Sequence, residues 1–581
     1  MAGSALGLVR DQVIARLFGA GAGSDAFLVA WTVPELAATV LIEDAMALLL
    51  VPAFSAALTR GGASALVRGT LPRLAALLAA ATAALWAAAP LVVRLLAPGL
   101  ADPGLAVTCT RLTAATVFTF GLTGYLSAAL RAHHRFLPPA AVYVAYNVGI
   151  VSTLLVLHGR LGVRAAAAGV AVGGALMVLV QLPSFVRALR RGEGPHHATG
   201  GEADEAGDGG PANALPDAGP HPAPGGLPST AGDNPGRPRA NATPAATLPG
   251  TDPRHAPGSR PLLTDRPVAA VESVVPAAPG GRVPVVRPPG GGAAGPRRGA
   301  RVTGSLGLAL VVPVVLFAVE RQAQVLVERF FAAGLPAGAI SHLNYAQKVA
   351  QLPMVLSLMM CTVTFPVVAS ALAAGDRERA RRRVERDLTL ACVVVLLGTA
   401  YVVACAPQIV HTLFQRGAFD AADTAATASV MRVYALGLLG QSLVGALIRP
   451  YFSAARPTWY PAAAMAAGLG LTVAADAAAV PAWGAYGIAA GNAAGISLTA
   501  VLLLRGLPAR AVPVLVPAFL ASVSRYVPAA AAATGAGWCT TRLLPGPAVV
   551  VAAACCLTVP LAFAAAAAAA GAPVRSLPHA S

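Results

Sequence analysis

Five of the charged residues inside long apolar stretches of the chain are candidates to line a polar cavity: Arg10, Asp11, Asp25, Glu43 and Lys348. A charge at the depth of a bilayer costs several kcal/mol, so such residues usually face a wet cavity or a partner. Lys348 is the single lysine of the sequence, and its neighbours Gln347 and Gln351 are amides without charge. An ammonium in that setting needs an anion or water, which favours Lys348 as a cavity residue that binds an anion.

Internal pairing is the alternative to a binding role. Arg10 can pair with Asp11 or Glu43, and Arg321 can pair with Glu320, as structural contacts between or within helices. The stretch 304–333 carries two acidic and two basic residues whose charges cancel, so pairing is favoured there. Lys348 has no acidic residue within one helical turn in the sequence.

The elements that position these charges are predicted membrane helices. The 581-residue chain is 56% hydrophobic and 12% charged, whereas soluble domains carry about 25% charged residues. Apolar runs of about 20 residues suit helices that cross a bilayer. We expect an all-α polytopic membrane protein with fourteen spans, near 2–18, 25–57, 74–97, 105–130, 138–158, 164–186, 304–333, 339–373, 388–413, 424–448, 459–480, 484–504, 513–537 and 547–571.

The distribution of arginine predicts the orientation of these spans. If the N-terminus is inside, the short inner segments, with the linker left out, hold 19 arginines and the outer loops hold four, as the positive-inside rule requires. Both termini are therefore expected in the cytoplasm. Arginines in cytoplasmic segments also explain the net charge of +17. The sequence has no basic motif with interleaved aromatic residues, so a nucleic-acid partner is not indicated.

Four segments are expected along the chain. Residues 1–191 form a six-helix lobe, 192–300 a Pro/Gly-rich disordered cytoplasmic linker, 301–510 a second six-helix lobe, and 511–581 two additional membrane helices with a short tail. Similar sequences at 121–139 and 437–461 indicate that the lobes are parallel repeats. Transporters built from such repeats bind substrate between the halves.

Enzymatic chemistry is not indicated. The loops hold no cluster of carboxylates or histidines that could act as a general base. The seven cysteines lack the spacing of a zinc site or a disulfide framework. We therefore expect neither a metal nor a cofactor.

Three motifs resemble the MviN/MurJ lipid II flippase family: LGLVRDQVIARLFGAGAGSDAFLVAWTVPEL at 6–36, NYAQKVAQLP at 344–353 and LFQRGAFDAADTAAT at 413–427. The resemblance implies a fold of the multidrug/oligosaccharidyl-lipid/polysaccharide exporter type in a bacterial plasma membrane. It implies movement of undecaprenyl-pyrophosphate-linked peptidoglycan precursor to the outer leaflet by alternating access. Arg10, Asp11, Asp25 and Glu43 fall on matching polar positions, and Lys348 stands where the family usually has arginine.

The chain departs from the family pattern at three positions. Ser4 and Ala38 stand where many relatives carry arginine, and Gln347 replaces an aspartate. The cavity is therefore expected to be less cationic than in those relatives. The implied partners are a lipid-linked glycan, membrane lipids and, as candidates, cell-wall synthesis proteins. Two alternatives stay open: an exporter of another polyprenyl-linked glycan or a small molecule, and a non-transporting scaffold for cell-wall enzymes.

Overall fold

The computed structural model describes residues 2–59, 62–192, 302–359, 375–453 and 458–571, with single positions 361 and 370. Residues 193–300 of the predicted linker lie outside this part of the chain. Within the described ranges every regular element is a helix, and the prediction of an all-α membrane protein is confirmed.

The first half of the chain forms seven α-helices, one of which continues through a π-helical segment. Pro34 lies inside the second helix, and the wider π-turns follow it. A proline removes one backbone hydrogen bond and bends a helix. The elements are α1 Ala2–Phe18, α2 Ala22–Ala37, the π-helix Ala38–Asp44, α3 Ala45–Thr59, α4 Ala63–Leu96, α5 Pro103–Ala132, α6 Leu137–Leu161 and α7 Arg164–Gly192.

The second half and the C-terminal region add ten α-helices in the described part of the chain: α8 Val302–Ala332, α9 Ala339–Ala350, α10 Arg377–Phe414, α11 Ala421–Ala435, α12 Leu438–Ser453, α13 Tyr460–Trp483, α14 Ala485–Arg510, α15 Val516–Ser524, α16 Tyr526–Leu543 and α17 Ala548–Ala569. Residues 352–359 are also helical. Helices α16 and α17 pack on each other and on α10, so the last helices are attached to the second half.

Eight described helices are long and apolar enough to cross a membrane, and α11 with α12, bent by 50°, forms a ninth candidate. Each of the fourteen predicted spans overlaps at least one described helix. Several of these helices are short or carry internal charges, as α1 and α9 do. Fourteen crossings therefore remain a prediction from the sequence.

Buried apolar residues join the two halves where α1 ends and α2 begins. Phe27 of α2 belongs to the same buried cluster as Ile340 of α9 and Phe414 of α10. Towards the other end of the bundle, Phe54 and Phe185 of the first half lie in a separate cluster. The halves thus share a core at one end, while a cavity separates parts of them further along the helices.

Candidate functional site

A polar cavity of about 570 Å³ lies between the two halves. Helices α1, α2, α5 and α6 line one side, and α8 and α9 line the other. Four of the lining residues are charged: Arg10, Glu35, Arg321 and Lys348. Three cations and one carboxylate give this cavity a positive lining, which suits an anionic ligand.

Arg10 is held in a fixed position within this lining. Its Nε and Nη2 donate to Oδ1 of Asp11 at 2.9 and 2.8 Å, and its Nη1 donates to Oδ1 of Asn147 on α6 at 3.1 Å. The guanidinium also lies 4.5 Å from the ring centroid of Trp31, a distance typical of a cation–π contact. All three contacts depend on the planar fork of arginine.

Lys348 reaches the same cluster from the second half. Its Nζ lies 3.3 Å from Oδ2 of Asp11 and 5.9 Å from the ring centroid of Trp31. The two oxygens of Asp11 therefore hold one cation each, and they link α1 to α9. The Lys348 side chain remains 28% exposed, whereas that of Asp11 is 8% exposed, so the ammonium is still accessible to a ligand.

Asp25 lies in a different place, where the two halves meet at the start of α9. Its Oδ2 accepts from the backbone N–H of Gly338 at 2.6 Å, and its Oδ1 accepts from the N–H and hydroxyl of Ser341 at 2.8 and 2.6 Å. A carboxylate at a helix N-terminus satisfies unpaired N–H groups and opposes the helix dipole. Asp25 thus caps a helix that belongs to the other half of the protein.

The backbone around this cap permits close approach. Gly338 has a φ of +98°, and a Cβ there would lie 2.8 Å from the carbonyl oxygen of Ala20. Only glycine fits such a position readily.

A second set of contacts closes the same end. The N–H of Ala418 donates to the carbonyl of Arg16 at 2.9 Å. On the second-half side, Nε2 of His342 lies 3.7 Å from Asp423, and Nδ1 lies 2.9 Å from the Thr427 hydroxyl. These two contacts of His342 hold α9 against α11. The helix that Asp25 caps is therefore fixed within the second half.

A family model described as lipid II flippase MurJ matches residues 14–200 and 301–556, which is most of the chain. The chain belongs to the MurJ family. The match omits most of the predicted linker, and it contains the whole of α9 with Lys348.

Individual MurJ relatives and structures agree with this membership. A probable lipid II flippase MurJ from Rhizobium meliloti is 31% identical over 184 residues, 31% of this chain and 34% of that protein. The lipid II flippase MurJ from Burkholderia cenocepacia is 25% identical over 544 residues, 92% of this chain and 86% of that protein. The aligned stretches span about a third of the length of the first curated relatives, 34%, 28% and 35%.

Solved structures show the fold. A lipid II flippase MurJ in an inward closed conformation superposes with a TM-score of 0.64 at 15% identity, over 98% of this chain and 96% of that one. An inward-facing multidrug resistance MATE family transporter gives 0.57 at 13% identity, over 89% and 96%. At these identities the likeness is one of fold, and the predicted exporter-type fold is confirmed.

The structure brings together three of the five residues predicted for the cavity of this MurJ family member. Arg10 and Lys348 line it, and Asp11 contacts both. Asp25 lies at the contact with α9 and is absent from the cavity lining. Glu43 belongs to the π-helix, and its side chain lies outside the described part of the chain.

Two charged lining residues were not selected from the sequence. Glu35 follows Pro34 inside an apolar stretch. A carboxylate next to a proline that bends a membrane helix could have been selected from the sequence for that reason. Arg321 was expected to pair with Glu320. Among the described residues no ion pair joins these two, and Arg321 faces the cavity.

Two other charged residues of α8, Glu328 and Arg329, have partners on different helices. Glu328 accepts from the hydroxyl of Tyr434 on α11 at 2.6 Å. Arg329 donates to the carbonyl of Ile340 at 3.3 Å and to Asn344 on α9 at 3.2 Å. These contacts connect helices of the second half.

Proposed function

We propose that this chain moves lipid II across a bacterial plasma membrane by alternating access, and that it is a transporter rather than an enzyme. Membership of the MurJ family supports lipid II as the substrate class. The cationic cavity between the halves supports a path for the substrate between them. The observation that carries the proposal is the placement of Arg10 and Lys348, from opposite halves, in one cavity.

The pyrophosphate of the lipid-linked substrate binds to Lys348, Arg10 and Arg321. Charge-assisted hydrogen bonds from ammonium and guanidinium groups to phosphate oxygens are strong and short. Asp11 contacts two of these cations in the cavity lining, and the cluster of Arg10, Asp11 and Lys348 keeps a formal charge of +1. A dianionic headgroup is therefore attracted to this cluster.

Transport requires the closed end of the bundle to open. Asp25 and its partners Gly338 and Ser341 form the contact that must separate when the cavity turns to the other side. A ligand drives such a change only through different affinities for the two states, and a cavity lined by both halves provides that difference.

The orientation follows from the arginine distribution. We propose that both termini and the linker face the cytoplasm, so that the closed end with Asp25 faces outward. The partners are the lipid-linked substrate and the surrounding lipids. Reporter fusions at residues 60 and 337 test this orientation: activity of a cytoplasm-specific reporter only at residue 60 supports it, and the reverse pattern contradicts it.

Complementation in a strain depleted of its lipid II flippase tests the function. We expect growth with the intact chain and lysis with Lys348→Ala at equal membrane levels. Purified protein in vesicles should then move fluorescent lipid II. Movement of a different polyprenyl-linked glycan, or of small cations without lipid, would favour the exporter alternative. Growth with every cavity variant would favour a scaffold.

A further inference from the structure

The polar cavity has one carboxylate among its described lining residues, that of Glu35 on α2. A carboxylate repels phosphate, so on its own it weakens a site for an anion. The residue is half-buried, and within the described part of the chain its side chain has neither an ion pair nor a hydrogen bond. Both oxygens of the carboxylate therefore remain available to a ligand.

Glu35 lies one helical turn from the proposed pyrophosphate site. The ring centroid of Trp31, four residues earlier on α2, lies 4.5 Å from the guanidinium of Arg10 and 5.9 Å from the ammonium of Lys348. Residues four apart share one face of a helix and are separated by about 6 Å along its axis. A group bonded directly to the pyrophosphate thus comes within reach of the Glu35 carboxylate.

The following turn of the chain joins this side of the cavity to the other half. The hydroxyl of Thr39 donates to the backbone carbonyl of Glu35 at 3.2 Å and accepts from the side-chain amide of Gln322 on α8. Arg321, the neighbour of Gln322, also lines the cavity. Among the residues that the structure describes, Arg321 and Glu35 do not form an ion pair, so a cation and an anionic acceptor both face the ligand.

A glycosylated polyprenyl pyrophosphate offers a partner to each of these groups. Its phosphates accept hydrogen bonds from cations, and the sugar on the second phosphate donates hydrogen bonds from hydroxyl and amide groups. A carboxylate only accepts hydrogen bonds, and those to a charged acceptor are stronger than neutral ones. An unglycosylated polyprenyl pyrophosphate lacks the sugar donors. It also carries a further negative charge, because its terminal phosphate is a monoester.

We propose that Glu35 selects glycosylated polyprenyl pyrophosphates over the unglycosylated lipid, by accepting hydrogen bonds from the first sugar and by repelling an exposed terminal phosphate. This role rests on the proposed function and adds a specificity residue to it. Transfer of the glycan to an acceptor leaves a lipid with the same tail and the same pyrophosphate, which cations alone do not reject. Discrimination between such ligands commonly uses a group that repels the wrong one, and Glu35 is such a group.

Three lipids separate the two parts of this selection when their binding to purified protein in nanodiscs is compared. They are lipid II, undecaprenyl pyrophosphate, and the methyl ester of undecaprenyl pyrophosphate on its terminal phosphate. The ester has the pyrophosphate charge of lipid II without the sugar. The preference for lipid II over the ester therefore measures the sugar contact, and the preference for the ester over undecaprenyl pyrophosphate measures the repulsion.

Glu35→Gln keeps the size of the side chain and removes its charge. We expect the preference for lipid II over the ester to fall about fivefold, because a charged acceptor becomes a neutral one. The preference for the ester over undecaprenyl pyrophosphate should also fall about fivefold, because one charge–charge repulsion is lost. Glu320→Gln is the control, since Glu320 is absent from the described cavity lining, and both preferences should stay those of the intact chain.

Glu35→Asp separates the two effects and replaces Glu35→Gln if that variant does not fold. The shorter side chain keeps the charge and withdraws the oxygens by about one carbon–carbon bond, so the repulsion should persist while the preference for lipid II over the ester falls. Unchanged preferences in Glu35→Gln, or one equal loss of affinity for all three lipids, would overturn the selective role. If the intact chain neither binds nor moves lipid II, the proposed function itself fails. If it moves lipid II and the Glu35 variants keep both preferences, the role of Glu35 alone fails.

Discussion

Nζ of Lys348 lies 3.3 Å from Oδ2 of Asp11, and this ion pair joins α9 of the second half to α1 of the first. The same carboxylate receives two hydrogen bonds from Arg10 through its other oxygen. The lysine that has no acidic neighbour in the sequence therefore has one in the folded chain. Asp11 neutralises part of the charge of the site and leaves a net cation for the ligand.

We predict that Lys348→Ala abolishes lipid II movement without loss of protein from the membrane, and that Lys348→Arg retains much of it. Alanine removes the charge that we propose binds pyrophosphate, and arginine keeps that charge. Transport in vesicles is the measurement, with equal insertion verified by immunoblot. Normal transport by Lys348→Ala would show that the lysine is only a tolerated cavity residue.

We predict that Arg10→Lys loses transport activity, whereas Lys348→Arg retains much of it. Arg10 uses three nitrogen atoms to hold Asp11 and Asn147, and an ammonium cannot reproduce this planar arrangement. We expect transport to fall by at least about tenfold, as loss of one to two charge-assisted hydrogen bonds implies. Equal activity of the two charge-conserving variants would contradict the assigned geometry.

Asp11→Asn should destabilise the protein, because two cations would face each other without a carboxylate. Breaking a buried ion pair costs about 3–5 kcal/mol, which lowers the melting temperature of the detergent-solubilised protein. Glu378→Gln is the control, since Glu378 pairs with Arg381 at 2.6 Å on a surface where its side chain is 51% exposed. The control should have the melting temperature of the intact chain. An equal fall in the melting temperature of both variants would refute a special role for Asp11.

Asp25→Asn should weaken closure of the end where α9 begins. The amide loses the charge that opposes the dipole of α9, and one of its atoms donates where a hydrogen bond must be accepted. Spin labels at Gly159 and Ala337 should report a broader or longer distance distribution. Asp102→Asn is the control, because Asp102 caps its own helix through the N–H of Leu105 at 2.9 Å. An unchanged distribution in Asp25→Asn would exclude Asp25 as the closing contact.

Gly338→Ala should act on the same closure through the backbone. A residue with a φ of +98° and a Cβ 2.8 Å from the Ala20 carbonyl is strained, at a cost of about 1–3 kcal/mol. We expect slower transport and the same change in spin-label distances as Asp25→Asn. Gly334→Ala is a matched control, since a Cβ there meets nothing within 4 Å. Comparable loss in both variants would point to general damage of the α8–α9 loop.

Much of the cavity could be predicted because charges in apolar stretches are conspicuous. Arg10 and Lys348 were identifiable for that reason, as was the helical class. Their shared partner Asp11 was not identifiable as the anion of Lys348, since that contact depends on how α1 packs beside α9. Sequence spacing describes neighbours within one helix, and it does not describe contacts between distant helices.

The role of Asp25 was hidden for a related reason. Helix α9 begins after Gly338 and has no serine, threonine or aspartate at its N-cap position. Such an incomplete helix start indicates a partner elsewhere, but it does not identify Asp25.

Helix α9 carries the contact with Asp25 at Ser341 near its start and the proposed ligand contact at Lys348 in its last turn, about 10 Å apart along one rigid element. Any displacement of this helix therefore changes the free energies of both contacts. By thermodynamic reciprocity, the factor by which bound substrate loosens the closed end equals the factor by which closure weakens substrate binding. A variant that stabilises closure should thus release its ligand more readily, and this coupling is measurable without any transport assay.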